Sequence, residues 1–210
     1  MLLCHLGMTG KWLHRDAAEP ARAGTRLRLG LDDGGWLHFV DPRRFGQVRL
    51  IAAADEPTDA AIAGLGPDVL ALCAAPGGLA GRLAGVKRAI KVALLDQGRL
   101  AGVGNIYAAE ALWRARIDPF RLANTLSDDN FARLAMALAA TMAESLDRER
   151  DDEITYLQDA ASQNPFDVYG RAGKPCRVCE AAIERAVQQG RSTFFCRACQ
   201  AVAGAKSDVA

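Results

Sequence analysis

The chain has 210 residues, half of them apolar and about a quarter charged. That is enough to bury a core and to build more than one small domain, and it excludes a disordered chain. The formal net charge of +1 excludes a uniformly basic protein that coats nucleic acid, so any basic surface must be local.

No run reaches the roughly 18–20 apolar residues of a membrane span, so no membrane partner is expected. The first residues, MLLCHLGMTGKW, lack the charged lead, long apolar stretch and cleavage site of a signal peptide. The expected location is the cytoplasm, where thiols stay reduced and clustered cysteines serve metals more often than disulfides.

Met1 runs directly into Leu2-Leu3-Cys4. This reads either as a short terminal strand or as a chain that starts inside one. Arg26 to Leu31 alternates polar and apolar residues, and Asp32-Asp33-Gly34-Gly35 is a turn signal. Trp36 to Val40 then predicts a return strand, and Gln47 to Ile51 another after the segment DPRRFG. From about Thr58 to Gln158 the period becomes helical. Leu83, Val86, Ile90 and Leu94 recur at three- and four-residue spacing within one stretch, Leu79 to Leu95. A glycine-punctuated loop, Gly98 to Asn105, precedes a helix through Ile106 to Arg116, and Pro119 closes that unit. Ser127 is a candidate N-cap for a long helix, Asp128 to Leu146. Asp147 to Glu153 is a charge run that reads as a solvated helix end, and residues 159–175 read as a loop or linker.

The last segment carries Cys176-Arg-Val-Cys179 and Cys196-Arg-Ala-Cys199, two CxxC knuckles separated by sixteen residues. Two such pairs at loop-sized spacing fit one tetrahedral zinc, with Ile183 to Val187 and Ser192 to Phe195 as hairpin strands and Gln188-Gln189-Gly190 as the turn. Four protein ligands leave no open position, so the metal is expected to be structural. Cys4 and Cys73 lie in apolar surroundings and are expected to be buried, inert thiols. Just past the turn stands Arg191, whose guanidinium offers a fork of donors suited to phosphate; an ordinary exposed arginine fits equally well. The loop Gly102-Val103-Gly104-Asn105 could present amides to an anion at a helix N-terminus, with Lys87 and Lys91 on the preceding helix, or be a plain tight turn. Tyr107 and Trp113 read as core.

The ordered set HLGMTG, DPRRFG, LLDQGRLAGVGNIYAAEALWRARIDP, VYGRAGKPC, the two knuckles and GRSTFFC resembles the formamidopyrimidine-DNA glycosylase and endonuclease VIII family, and its formamidopyrimidine branch in particular. The resemblance runs from His5 to Cys199. It implies an α+β multidomain fold: an N-terminal β-sandwich remnant at 1–55, an all-α helix–two-turn–helix DNA-binding domain at 56–160 and a C-terminal Cys4 zinc β-hairpin at 161–210. Damaged DNA would lie between the lobes. It implies base-excision repair by a bifunctional glycosylase and abasic-site lyase acting as a monomer in the bacterial cytoplasm or nucleoid. The partner would be double-stranded DNA carrying oxidised bases or abasic sites.

The family also implies roles. Asn105 and Arg191 would pin phosphates around a flipped nucleotide, with Lys91 and His5 nearby, and Arg191 would donate a proton in the second elimination. Met8, Arg43 and Phe45 would wedge into the gap left by the flipped base; from pattern alone Met8 and Phe45 could equally be core and His5 a strand histidine. Lys87 and Arg43 match DNA-contact positions, and Glu110 would support the pocket from below. One zinc, held by Cys176, Cys179, Cys196 and Cys199, would be the cofactor.

The family's chemistry uses the amine of an N-terminal proline followed by a glutamate, and a lysine on an early hairpin. None is among these 210 residues, where the first proline is Pro20. A polypeptide of this sequence is therefore expected to give no borohydride-trapped adduct on abasic DNA. The appearance of an adduct would show that another amine attacks. An alternative reading follows from the same gap, a catalytically dead protein that binds damaged DNA, and the cysteines taken alone would also fit a zinc-hairpin adaptor for RNA or protein. The first fifty residues are expected to be unstable, with an exposed core face around Leu3, Leu6 and Leu37. A family histidine falls at Gly24, and the segment before VYGR is not glycine-rich, so the lesion is left open.

Overall fold

The computed structural model describes residues 1–7, 9–16, 19–149 and 164–201. Met8 and most of the segment before VYGR lie outside them, as does the end of the charge run. The described residues fall into two compact units divided between Ala63 and Gly64.

The first unit holds five strands, β1 (Leu2–His5), β2 (Lys11–Arg15), β3 (Thr25–Gly30), β4 (Trp36–Val40) and β5 (Gln47–Leu50). They form two antiparallel sheets, β1–β5 and β2–β4–β3. In the three-stranded sheet β4 is central because both its edges are paired, and its Phe39 and Val40 are buried with Leu13 of β2. Phe39 also stacks on Trp12 at 5.1 Å. Elsewhere the unit is thinly covered. Leu2, Leu6, Phe45 and Leu50 are exposed, whereas Leu3 and Leu37 are half-buried. A 3-10 helix (Ala53–Thr58) and the short α1 (Ala60–Ala63) follow, tied back by the Arg49–Asp59 ion pair at 2.8 Å.

The second unit contains α2 (Val69–Ala74), α3 (Gly78–Leu83), α4 (Ile90–Leu94), α5 (Asn105–Arg114) and α6 (Asp128–Glu149), then β6 (Glu184–Gln188), β7 (Arg191–Phe195) and α7 (Arg197–Gln200). Its main core is built from the apolar stripes of these helices, among them Leu83, Ile90, Leu94, Leu112, Leu134 and Leu138. Ser127 caps α6 as expected: its hydroxyl accepts from the Asn130 amide while the Asn130 side chain accepts from the Ser127 amide, both at 3.2 Å.

The continuous helical stretch expected over Leu79–Leu95 is two helices. Between them the Val86 and Arg88 carbonyls accept from the Asn124 and Ala123 amides, and the Ile90 amide donates to the Arg121 carbonyl. Backbone groups committed to that strand-like pairing cannot also close helical rings, so the apolar spacing persists without the helix. Lys87 therefore stands exposed in the irregular stretch between the two helices and not on a helix. The two thiols expected to be buried, Cys4 and Cys73, are both partly accessible. Burial, with the Asp68 carboxylate second, raises the Cys73 pKa, which still leaves that thiol unreactive.

Candidate nucleic-acid interface and metal centre

In the first unit, His5 closes β1 and its Nδ1 accepts from the Gly7 amide at 3.2 Å. Gly7 has φ of +66°, and a Cβ there would lie 2.7 Å from the Phe45 carbonyl carbon. The two loops touch so closely that only glycine fits. The DPRRFG turn is closed from inside. Buried Asp41 accepts from the Gly46 amide at 2.7 Å, and Arg26 donates through Nε to the Asp41 carbonyl at 3.0 Å. This presents Phe45, 54 % exposed, with the Arg43 guanidinium over its ring at 5.1 Å. His5, Arg43 and Phe45 thus share one end of the unit, where β1 and β5 meet at the His5–Gln47 pair.

In the second unit the glycine loop is rigid. Gln97 clamps it from both sides, donating through Nε2 to the Val103 carbonyl at 2.9 Å and accepting from the Gly102 amide at 3.1 Å. Gly102 has φ of +101°, a backbone angle that an L side chain would strain. Ala101 bridges to Asp68 and Val103 is buried. Gly104 is the N-cap of α5 and supplies no side-chain cap, so the first-turn amides lack that partner. Asn105 is the first helical residue, and its Nδ2 donates to the Ser192 carbonyl at 3.0 Å.

That carbonyl has a second donor. Lys91 Nζ donates to it at 3.0 Å and to the Thr193 hydroxyl at 2.8 Å, and Thr193 in turn donates to Gln188 Oε1 at 2.8 Å. Lys91 is fully buried. This corrects the expectation of a surface lysine on the phosphate path: its ammonium is spent inside the protein, fixing the strand that follows Arg191. Burial, then the nearby Arg191 guanidinium, lowers its pKa to about 8. Arg191 itself is exposed at the start of β7. The turn before it, Gln189–Gly190, has positive φ at both residues, which suits a two-residue hairpin.

Glu110, 2 % exposed on α5, accepts from three successive amides, those of Asp167, Val168 and Tyr169, at 2.8–2.9 Å. It holds the VYGR segment just before the first knuckle. Tyr107 packs against the main core, and Trp113 belongs to a second one with Val168, Ile183, Phe194, Cys176 and Cys196.

The sulfurs of Cys176, Cys179, Cys196 and Cys199 all lie within 4.8 Å of one another. The separations Cys176–Cys199, Cys179–Cys196 and Cys179–Cys199 are 3.8, 3.4 and 3.4 Å. These are far beyond a disulfide and close to the ~3.8 Å edge of a tetrahedron with ~2.3 Å zinc–sulfur bonds. The donor set fits zinc. Burial opposes ionisation of Cys176, yet the Val178 and Cys179 amides, Cys196 and Trp113 bring it down to about 6. Burial pushes Cys196 up to about 12.

Three sequence models of known families match the chain in order. The formamidopyrimidine-DNA glycosylase N-terminal domain matches residues 1–48, its H2TH domain residues 65–156, and the zinc finger found in FPG and IleRS residues 173–202. The formamidopyrimidine-DNA glycosylase of Acidiphilium cryptum is 43% identical over 204 residues, covering 93% of this chain and 73% of its own. The chain belongs to the formamidopyrimidine-DNA glycosylase family. The family's enzyme from Thermus thermophilus has a crystal structure that is 40% identical, with a TM-score of 0.75, covering 95% of this chain and 75% of its own. The Lactococcus lactis glycosylase, in complex with abasic-site DNA, is 28% identical with a TM-score of 0.77, covering 96% and 75%. Membership fixes the metal: one structural zinc on the four cysteines. No helix among the described residues is long and apolar enough to cross a membrane.

Sequence reasoning missed Gln97, and it named Lys91 without foreseeing that its ammonium faces inward. The signal for Gln97 was its place one residue before the glycine run, where an amide side chain can bond both strands of a loop. Lys91 had no such signal, since a lysine in an amphipathic stretch reads as solvated.

Proposed function

We propose that this protein is a base-excision repair enzyme of the formamidopyrimidine-DNA glycosylase type. It binds double-stranded DNA at an oxidised base or abasic site, with the damaged nucleotide turned out of the stack. One observation carries this reading: the Asn105 amide is bonded to the carbonyl of the residue that follows Arg191, so two phosphate-class donors from distant parts of the chain stand side by side. A neutral amide and a guanidinium fork can grip the backbone on either side of a nucleotide. Arg43 over Phe45, with Met8, supplies the apolar-plus-cation wedge that offsets an unstacking cost of a few kcal/mol. His5 and Lys87 add phosphate contacts. Lys91 acts through the Ser192 carbonyl and Thr193, and Arg191 also donates the proton of the second elimination. The segments 1–55, 56–160 and 161–210 divide the work as wedge, backbone clamp and zinc-held hairpin. The protein acts as a monomer on the nucleoid in the bacterial cytoplasm.

Binding of the 210-residue chain to a duplex with a stable abasic analogue, followed by fluorescence anisotropy, tests this. Charge-assisted bonds contribute about 1.5–3 kcal/mol each, so R191A is expected to bind about 10–150-fold more weakly. N105A should lose about tenfold, and both should shrink the preference over intact duplex. Variants that bind as tightly as the parent, or a parent with no such preference, would remove the basis for the clamp.

A further inference from the structure

Trp113 has an unexplained polar atom. The residue is 7 % exposed, and its buried indole Nε1 has no acceptor within ordinary hydrogen-bond geometry. A buried N–H is seldom left unpaired. Trp113 belongs to the second buried core together with two of the zinc ligands, Cys176 and Cys196, and Cys199 packs against the same cluster. Sulfur is the acceptor class this pocket offers, and a metal-bound thiolate, bearing charge, accepts far better than a thiol.

A second group on the same helix end has the matching sign. The Arg116 guanidinium lies over the Trp113 ring at 5.8 Å, in the unit that carries the four cysteines. Four thiolates around one divalent zinc leave two excess negative charges. An indole N–H and a guanidinium beside them offset part of that excess.

We infer that Trp113 is an outer-shell donor to the zinc centre, its indole N–H hydrogen-bonding to the Cys176 thiolate when the metal is bound. The inference rests on the zinc site and is independent of how DNA is gripped. It gives α5 a role at both ends. Asn105 opens the helix beside Arg191's hairpin, and Trp113, near its close, senses whether the metal is seated. Trp113 is in this sense a positioning residue. It orients Cys176 and lowers the charge on sulfur, as second-shell partners do at other metal sites.

Cadmium-113 in place of zinc provides the direct test on the whole chain. The Trp113 indole proton, assigned by its absence in W113F, is expected to shift downfield and to show a scalar coupling to the metal through the N–H···S bond. Zinc competition with a chromophoric chelator should show W113F, which keeps the ring and loses the donor, binding about 10–100-fold more weakly. An indole proton with no coupling to cadmium would overturn the assignment, even if W113F folds poorly. A W113F protein that keeps its far-ultraviolet circular dichroism and holds zinc as tightly as the parent would overturn it too.

Discussion

Removing zinc with a strong chelator is expected to melt β6, β7 and α7 and to reduce binding of abasic duplex to the level of intact DNA. Among the described residues the hairpin has two strands and no third beside them, and an isolated two-stranded hairpin is marginal in water. Its own core is small: Val168, Ile183 and Phe194 with Ala109 and Trp113 from α5, completed by Cys176 and Cys196. Two of those members are metal ligands, so losing the ion opens that core. Structural zinc supplies an apparent ~10–16 kcal/mol at neutral pH, more than a segment of this size can gain from packing alone. The consequence reaches Arg191 because Ser192 and Thr193, which Lys91 and Asn105 hold, are part of β7. Hydrogen exchange should show β7 amides losing protection while α6 keeps it. Acid should act the same way, since zinc competes with protons for the thiolates and its affinity falls as pH falls. A chelated protein that retains β7 protection would show that packing, and not metal, supports the hairpin.

The second large effect is expected at Glu110. Its carboxylate satisfies three backbone amides in a buried site. In E110A the Asp167, Val168 and Tyr169 amides lose their acceptor at once. Each buried unpaired donor costs about 1–3 kcal/mol, and these three share a site, so about 3–5 kcal/mol is expected in total. That is a large part of the 5–15 kcal/mol typical of a whole domain. E110Q keeps the shape and one acceptor oxygen but turns an N–H₂ toward a donor, so about half the loss should remain. Urea unfolding measures both, as a lower midpoint at unchanged slope. A loss under ~1 kcal/mol in E110A would mean that other acceptors replace the carboxylate.

The parts of the fold that were legible in the sequence are those where a residue type is chemically constrained. CxxC pairs have few uses in a reduced compartment, so Cys176, Cys179, Cys196 and Cys199 pointed to one ion before any geometry was known. Ser127 announced the start of α6 in the same way. What escaped was set by tertiary pairing. Strand β2, KWLHR, has too little alternation to stand out, and it forms because β4 offers it an open edge. The break at residues 84–89 follows from the return of residues 119–124, which no local period reveals. The candidate site shows the same division. Asn105, Glu110 and Arg191 came from motif wording, and the structure adds that Ser192 links the first to the third. Lys91 was placed on the wrong side of the surface because its partners lie about a hundred residues away.

Helix α5 is ten residues long, and three of them have appointments elsewhere: Asn105 with β7, Glu110 with the VYGR amides and Trp113 with the cysteine cluster. An α-helix advances ~1.5 Å and turns ~100° per residue. One residue inserted between Asn105 and Trp113 would leave the sequence chemically almost unchanged. It would also swing the indole about a quarter-turn away from the cysteines while the asparagine stayed in place. The helix therefore acts as a gauge block whose length, more than its composition, keeps the two ends of this unit in register.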